Sequence, residues 1–215
     1  MAPRGTVSGM AVWRERVVPR LVDVALRSPA ATAARCRTCA EVSGEVLELG
    51  FGSGLNAPHY PPEVARVLAV EPSDLAWRMA ARRIGSSGVP VQRVGLNGQA
   101  LPLADGSADT ALSTWTLCTI PDPVAALREV ARVLRPGGRL CFVEHGLSPD
   151  PGVARWQHRL QPLQYRLAGG CHLQRPIDRL LEQAGFRCER LHTSYEPGAP
   201  RPLGYLYEGI AVPGA

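Results

Sequence analysis

The run Glu45-Val46-Leu47-Glu48-Leu49 passes directly into glycines at every second position, Gly50, Gly52 and Gly54, and this junction constrains the fold more than any other stretch. Aliphatic residues over five positions favour a strand, and the glycine cluster ends it. Residues without Cβ atoms let the following loop turn tightly and leave its backbone N–H groups open to a ligand. A second aliphatic run, Arg66 to Val70, ends in Glu71-Pro72. Strands that end in this way belong to a parallel sheet whose carboxyl edge binds nucleosides and dinucleotides.

The rest of the chain keeps the alternation. Ser73 caps a helix over 74–84, residues 89–94 form a third strand, and 109–114 form a fourth after the Asp105-Gly106 turn. Val124, Leu127, Val130, Ala131 and Leu134 make a helical stripe that Arg135-Pro136-Gly137-Gly138 stops, and 139–144 is a fifth strand. Before the first strand, Trp13, Val17, Leu21, Val24 and Ala25 recur at helical spacing. After the fifth, residues 153–167 read as a basic amphipathic helix that Pro162 should break or kink. A helix over 177–184 stops at Gly185, and 186–194 and 203–212 close the sheet. The expected fold is α/β, a Rossmann-like, mostly parallel seven-stranded sheet with helices on both faces. Residues 1–44 are a helical lead-in, 45–145 the nucleoside-binding core, and 146–215 further helices and closing strands of the same domain.

Composition narrows the partners. The formal net charge is +5, yet all 24 basic residues are Arg, and they are scattered rather than clustered with aromatics. Such usage reads as a GC-rich coding bias, and no nucleic-acid partner is expected. No run approaches the ~20 apolar residues of a membrane span, because Pro19, Arg20, Asp23 and Arg27 interrupt residues 17–34. Met1-Ala2-Pro3-Arg4-Gly5 does not lead into a secretory signal, so the cytoplasm is the expected setting. A basic amphipathic helix can make a peripheral membrane contact, but packing on its own domain is favoured. The six cysteines read as free thiols. Cys36-Arg37-Thr38-Cys39 has the C-x-x-C spacing, but no second pair completes a tetrahedral set, and no metal is expected. Oligomeric state leaves no signal.

The candidate site is built from two strand ends. Glu71 lies 21 positions after Gly50, close to the ~20-residue offset at which a carboxylate meets ribose hydroxyls. A carboxylate accepts both hydrogen bonds of a cis-diol. Nicotinamide and flavin loops use G-x-G-x-x-G, but the third position of that pattern falls on Leu55, and Gly is at 54 instead. The loop Glu48-x-Gly50-x-Gly52-x-Gly54 suits a ligand with no pyrophosphate.

The stretch Val46 to Gly54 resembles the first motif of class I S-adenosylmethionine-dependent methyltransferases. Ala69-Val70-Glu71-Pro72-Ser73 resembles their ribose-binding strand end. Residues 99–109 resemble the A-E-x-L-P-F-x-D-x-S-F-D segment, and 127–138 resemble L-x-E-x-x-R-V-L-K-P-G-G. Thr116-Leu117-Cys118-Thr119-Ile120, Phe142-Val143-Glu144-His145 and Gly169 to Arg175 are similar to the thiol S-methyltransferase-like branch. The resemblance implies S-adenosylmethionine as cofactor and a methyltransferase type 11 domain. It implies that Gly50, Phe51 and Gly52 surround the methionine part, with Glu48 and Gly54 in the same cofactor-binding loop, and that Glu71 holds the ribose. Pro72, Asn97 and Gly98 then lie beside the adenine, and Thr114 faces the sulfonium. Asn97 and Gly98 stand where the family has Asp-Ala, and the Asn carbonyl still accepts the adenine amino hydrogen bond.

Methyl transfer places nucleophile, methyl carbon and sulfonium in line, so positioning and removal of water supply most of the rate. The implied acceptor is a small molecule, a thiol on this branch, with O-, N- or C-methylation as the alternative. A thiol of pKa ~8.5 is already partly ionised near neutrality. His145, ending the fifth strand, is the candidate catalytic base, though a strand-end His can equally bond backbone. Cys171 and His172 either line the acceptor pocket or pack in the helical segment. More distant readings are a NAD-dependent oxidoreductase, which the Gly54 spacing disfavours, and a non-catalytic binder of the cofactor.

Overall fold

In the computed structural model, residues 9–95 and 97–214 are described. The expectation about Met1 to Gly5 lies outside them. Seven strands form one sheet: β1 (Gly44–Leu49), β2 (Val64–Val70), β3 (Val91–Gly95), β4 (Ala108–Thr114), β5 (Leu134–His145), β6 (Phe186–Tyr195) and β7 (Tyr205–Pro213). Their order is β3-β2-β1-β4-β5-β7-β6. β1 to β5 pair in parallel, and β7 runs antiparallel between β5 and β6. The chain winds outward from β1 to β3, then returns to lay β4 on β1's other edge. The crevice at that reversal, between the carboxyl ends of β1 and β4, is where such sheets bind ligands. The expected seven-stranded, mostly parallel α/β fold is therefore present.

Side-chain alternation builds the two helical layers. Leu47, Leu49, Leu68, Val70, Ala111, Leu140 and Phe142 point to one face, where they meet Leu127, Val130 and Val133 of α5 (Pro123–Val133) and Ile177 and Leu181 of α7 (Ile177–Gln183). Their neighbours Val46, Val67, Ala69, Leu112 and Cys141 point to the other. There they meet Cys39 of α3 (Pro29–Cys39) and Ala80 of α4 (Asp74–Ser87). Strands covered on both faces are apolar at nearly every position, which is why they read as unbroken aliphatic runs.

Helix starts follow local chemistry. Ser28, Ser73 and Asp122 each accept a backbone N–H three residues on, capping α3, α4 and α5. The lead-in comprises α1 (Gly9–Val12), a π-helical turn over Trp13–Val17, α2 (Val18–Ala25) and α3.

Two expectations are corrected. α5 stops at Val133, not Leu134, and Arg135-Pro136-Gly137-Gly138 is not a separate turn but an excursion within β5. The register jumps from Ala108–Leu134 to Thr110–Arg139. A Cβ on Gly138 would come within 2.9 Å of the Arg135 carbonyl oxygen and 3.0 Å of that of Asp109, so only glycine lets the strand close there. The second correction is α6 (Pro151–Leu167), which runs through Pro162. Two buried glutamines ahead of Pro162 tie the helix to the segments before and after it. Gln157 donates to Gly146 O at 2.9 Å and accepts from Ser148 N at 2.9 Å, and Gln161 accepts from Leu173 N at 2.7 Å. Among the described residues no helix is long and apolar enough to cross a membrane.

Candidate active site

Gly50, Gly52 and Gly54 adopt φ of +64°, +59° and +74°, a left-handed region that residues with a Cβ enter at a cost of ~1–2 kcal/mol. The three do different jobs. A Cβ at Gly50 would collide with the Thr116 side chain, and one at Gly54 would press on Ala80 and Phe51, so these two serve internal packing. At Gly52 the nearest atom is 3.8 Å away, which leaves its Cα facing open space. Phe51 is buried against Trp77, ring centroids 5.4 Å apart.

Glu71, at the end of β2, accepts the Gly52 N–H at 2.6 Å and the Ser73 N–H at 2.7 Å. Burial raises its pKa, and the two amides offset part of that rise. Each carboxylate oxygen keeps a lone pair for a further donor. Pro72 is exposed beside it. Asn97 is also exposed, its Oδ1 accepting the Gln99 N–H at 2.9 Å, and Gly98 lies against Leu49 with 3.4 Å between that side chain and a built Cβ.

Behind the loop lies a buried polar network that the sequence reading did not anticipate beyond Glu48 and Thr114. Glu48 is fully enclosed and accepts from Asn56 Nδ2 at 2.8 Å and from the Tyr60 hydroxyl. Its enclosure pushes its pKa up to about 7. Thr114 Oγ1 accepts from Asn56 Nδ2 at 3.1 Å and from Arg35 Nη1 at 3.3 Å. Arg35, on α3, also donates to Asn56 Oδ1 and stacks its guanidinium 5.0 Å from the centre of the Trp115 ring. It is 3% exposed, and among the described residues no carboxylate lies within ion-pair distance of it. No spacing signal could have singled out one arginine among 24.

On the other side of Thr114, Trp115 takes φ of +50°, uncommon for a bulky residue. Glu144, fully buried, holds the turn by accepting from Ser113 Oγ at 2.7 Å, Thr116 N at 2.9 Å and Leu117 N at 3.1 Å. Arg175 binds the carbonyls of Leu117 and Ile120. The loop after β4 is thus clamped from β5 and from the segment after α6.

His145 and Cys171 come close together. His145 Nδ1 lies 3.8 Å from Cys171 Sγ, while its Nε2 is buried and has no partner among the described residues. It is not bonded to backbone through that nitrogen. Cys118, singled out in the sequence only as part of a resemblance, completes the cluster. Donation from the Cys118 thiol, with His145 nearby, holds the Cys171 thiol low, and that same bond and burial push Cys118 up. His172 points elsewhere: its ring nitrogen is 3.3 Å from Gln161 and its ring stacks edge-on to Tyr165.

Cys36 and Cys39 do not act as a pair. Cys36 is exposed with its sulfur 3.3 Å from His59 Nδ1, whereas Cys39 is buried in the core. A cavity of about 400 Å³ opens beside Arg37, Glu41, Arg190 and Glu208, but none of the expected site residues lines it. Its charges are already paired across the cavity, Arg37 with Glu208 and Arg190 with Glu41.

Comparisons with known proteins agree with this geometry. Residues 47–142 match the family model of the methyltransferase domain. The chain is 36% identical over 173 residues to thiol S-methyltransferase TMT1B of Rattus norvegicus, covering 78% of this chain and 70% of that one. It is 33% identical over 169 residues to thiol S-methyltransferase TMT1A of Homo sapiens, covering 74% and 69%. Among solved structures, a SAM-dependent methyltransferase of Thermotoga maritima superposes with a TM-score of 0.65 at 24% identity, over 94% of this chain and 98% of that one. With the glycine loop and Glu71 at adjacent strand ends, and relatives at this identity over most of their length, the chain belongs to the class I S-adenosylmethionine-dependent methyltransferases, near the TMT1 branch.

Proposed function

We propose that this methyltransferase moves the methyl group of S-adenosylmethionine to the sulfur of a small thiol, in a cytoplasmic setting. The observation that carries the donor half is the bond from Gly52 N–H to Glu71, which brings both halves of a nucleoside site together. The residues fit the donor: the Cα of Gly52 faces open space, and Glu71 keeps lone pairs for a diol. When bound, S-adenosylmethionine supplies an electrophilic methyl carbon on a sulfonium.

The chain's own groups orient it. Glu71 accepts the ribose hydroxyls, and Pro72, Asn97 and Gly98 border the adenine. Gly50, Phe51, Gly52 and Gly54 shape the loop, with Glu48 holding Asn56 behind it. Arg35, a buried cation with no carboxylate within ion-pair distance among the described residues, pairs with the methionine carboxylate, and Thr114 flanks the sulfonium. Residues 146–185 cover the acceptor side and exclude water, and the acceptor thiol ionises beside His145 and Cys171. His172, turned toward Gln161, supports that cover. The thiol acceptor is supported by the TMT1 relatives, whose names give that substrate. The six free cysteines suit a reducing compartment.

Incubation with labelled S-adenosylmethionine and a panel of small thiols, alcohols and amines tests the reading. Labelled thioether is the expected product. Label in amine or alcohol alone would reassign the acceptor.

A further inference from the structure

Cys118, His145 and Cys171 come from three separate stretches, the loop after β4, the end of β5 and the turn after α6. They bring two sulfurs and an imidazole nitrogen to within 4.8 Å of one another, and each residue is more than nine-tenths buried. Core packing gives no reason for the arrangement. Among the described residues the buried His145 Nε2 has no hydrogen-bond partner, so no bond of that nitrogen fixes the ring, and it is Nδ1 that faces the Cys171 sulfur. Apart from Cys171, the Cys118 thiol meets only the Trp115 carbonyl among the described residues, at 3.7 Å.

Distances and ligand types point to one kind of occupant. With Zn–S near 2.3 Å and Zn–N near 2.0 Å, a tetrahedral site holds its ligand atoms roughly 3.5–3.8 Å apart. The His145 Nδ1 to Cys171 Sγ separation is 3.8 Å. Two sulfurs and an imidazole select a thiophilic cation over Mg²⁺ or Ca²⁺, which prefer oxygen. Three protein ligands leave one position for an outside ligand, the pattern of catalytic rather than structural zinc. The cluster also adjoins the donor loop, since Thr116, two residues before Cys118, packs against Gly50.

We propose that Cys118, His145 and Cys171 form a Zn²⁺ site whose fourth position takes the sulfur of the acceptor thiol. The fourth ligand rests on the thiol reading above, whereas the three protein ligands do not. On binding, the Cys118 and Cys171 thiols lose their protons to solvent, as does the acceptor, and no electrons are exchanged. A lone pair of the acceptor sulfur then forms the S–CH₃ bond. The donor's C–S bond breaks, and its electron pair returns to the donor sulfur to give S-adenosylhomocysteine. The thioether formed is a poorer ligand than the thiolate and dissociates.

The test titrates the full chain with Zn²⁺ and, separately, with Co²⁺ as a spectroscopic substitute. One metal per chain is expected, with thiolate-to-cobalt charge-transfer bands and tetrahedral visible bands. Cys118→Ser, Cys171→Ser and His145→Ala should each weaken metal affinity by more than ~100-fold, beyond the loss from an outer-shell change, while calorimetric affinity for S-adenosylmethionine stays within about twofold. Because a variant could fail to fold, the wild-type chain is also alkylated with iodoacetamide, and Zn²⁺ should protect Cys118 and Cys171 but not Cys36. Absence of charge-transfer bands, or of that protection, overturns the site. Addition of 2-mercaptoethanol should shift the visible cobalt bands, and an unmoved spectrum overturns the acceptor position. Intact cobalt–thiolate bands in a chain that methylates no thiol would remove the thiol reading and leave the three ligands standing.

Discussion

Glu71 Oε2 accepts the Gly52 N–H at 2.6 Å, so a single short bond ties the end of β2 to the loop that follows β1. The same carboxylate faces the ribose in the proposed donor complex, and its removal should act on binding before fold. Glu71→Ala is expected to weaken S-adenosylmethionine by ~10–100-fold, the loss of charge-assisted hydrogen bonds worth ~1.5–3 kcal/mol. Isothermal calorimetry measures this directly, and unchanged affinity would remove Glu71 from the donor site.

Two glycines two residues apart should fail in different ways. Gly50→Ala puts a Cβ into the Thr116 side chain at φ of +64°, so it should lower the unfolding midpoint, by roughly 2–4 kcal/mol of stability. Gly52→Arg meets no protein atom closer than 3.8 Å at its Cβ. It should keep most of the stability and abolish donor binding by filling the space the ligand needs. Thermal unfolding and calorimetry on both variants separate the two effects. Equal destabilisation by each would contradict the division of labour.

The contrast between these glycines marks how far sequence carries. Strands buried on both faces leave aliphatic runs, and Gly50 to Gly54 and Glu71 sit where such runs stop, so the parallel core and the glycine loop at its carboxyl edge are legible. Arg135 to Gly138 read as a turn because Pro and Gly usually end an element, and only the pairing of Leu134 with Ala108 shows that the strand had already begun. Pro162 read as a breaker because local rules do not see Gln157 and Gln161 bonding chain segments on either side. Arg35 and Asn56 act through contacts with distant segments and have no local signature, and Glu144 and Arg175, which lie in stretches that carry the family resemblance, show their clamping role only through such contacts. The meeting of Cys118, His145 and Cys171 is likewise a product of topology alone.

Arg35 offers a test of the lead-in helices. Its buried guanidinium bonds to Thr114 and Asn56 and, among the described residues, has no carboxylate within ion-pair reach. Its pairing with the carboxylate of the donor predicts that Arg35→Met weakens S-adenosylmethionine by ~10–100-fold. Binding of decarboxylated S-adenosylmethionine should change far less in the same variant. Equal losses for both ligands would mean that Arg35 only supports the loop.

Glu48 should make stability depend on pH in an unusual direction. Desolvation pushes its pKa up to about 7, against an ordinary value of 4.5, with Tyr60, Asn56 and Arg35 opposing the rise. Between those values the folded chain keeps a proton that the unfolded chain has lost, so stability falls as pH rises through the window. The contribution is fully present below about pH 4.5 and gone above about pH 7, at most about 3 kcal/mol. Glu144, also pushed up to about 7 by burial, adds a slope of the same sign. Glu48→Gln should therefore reduce the slope without abolishing it. Urea midpoints at about pH 5 and about pH 8 measure the difference, and an undiminished slope in the variant would show that Glu48 stays ionised in its enclosure.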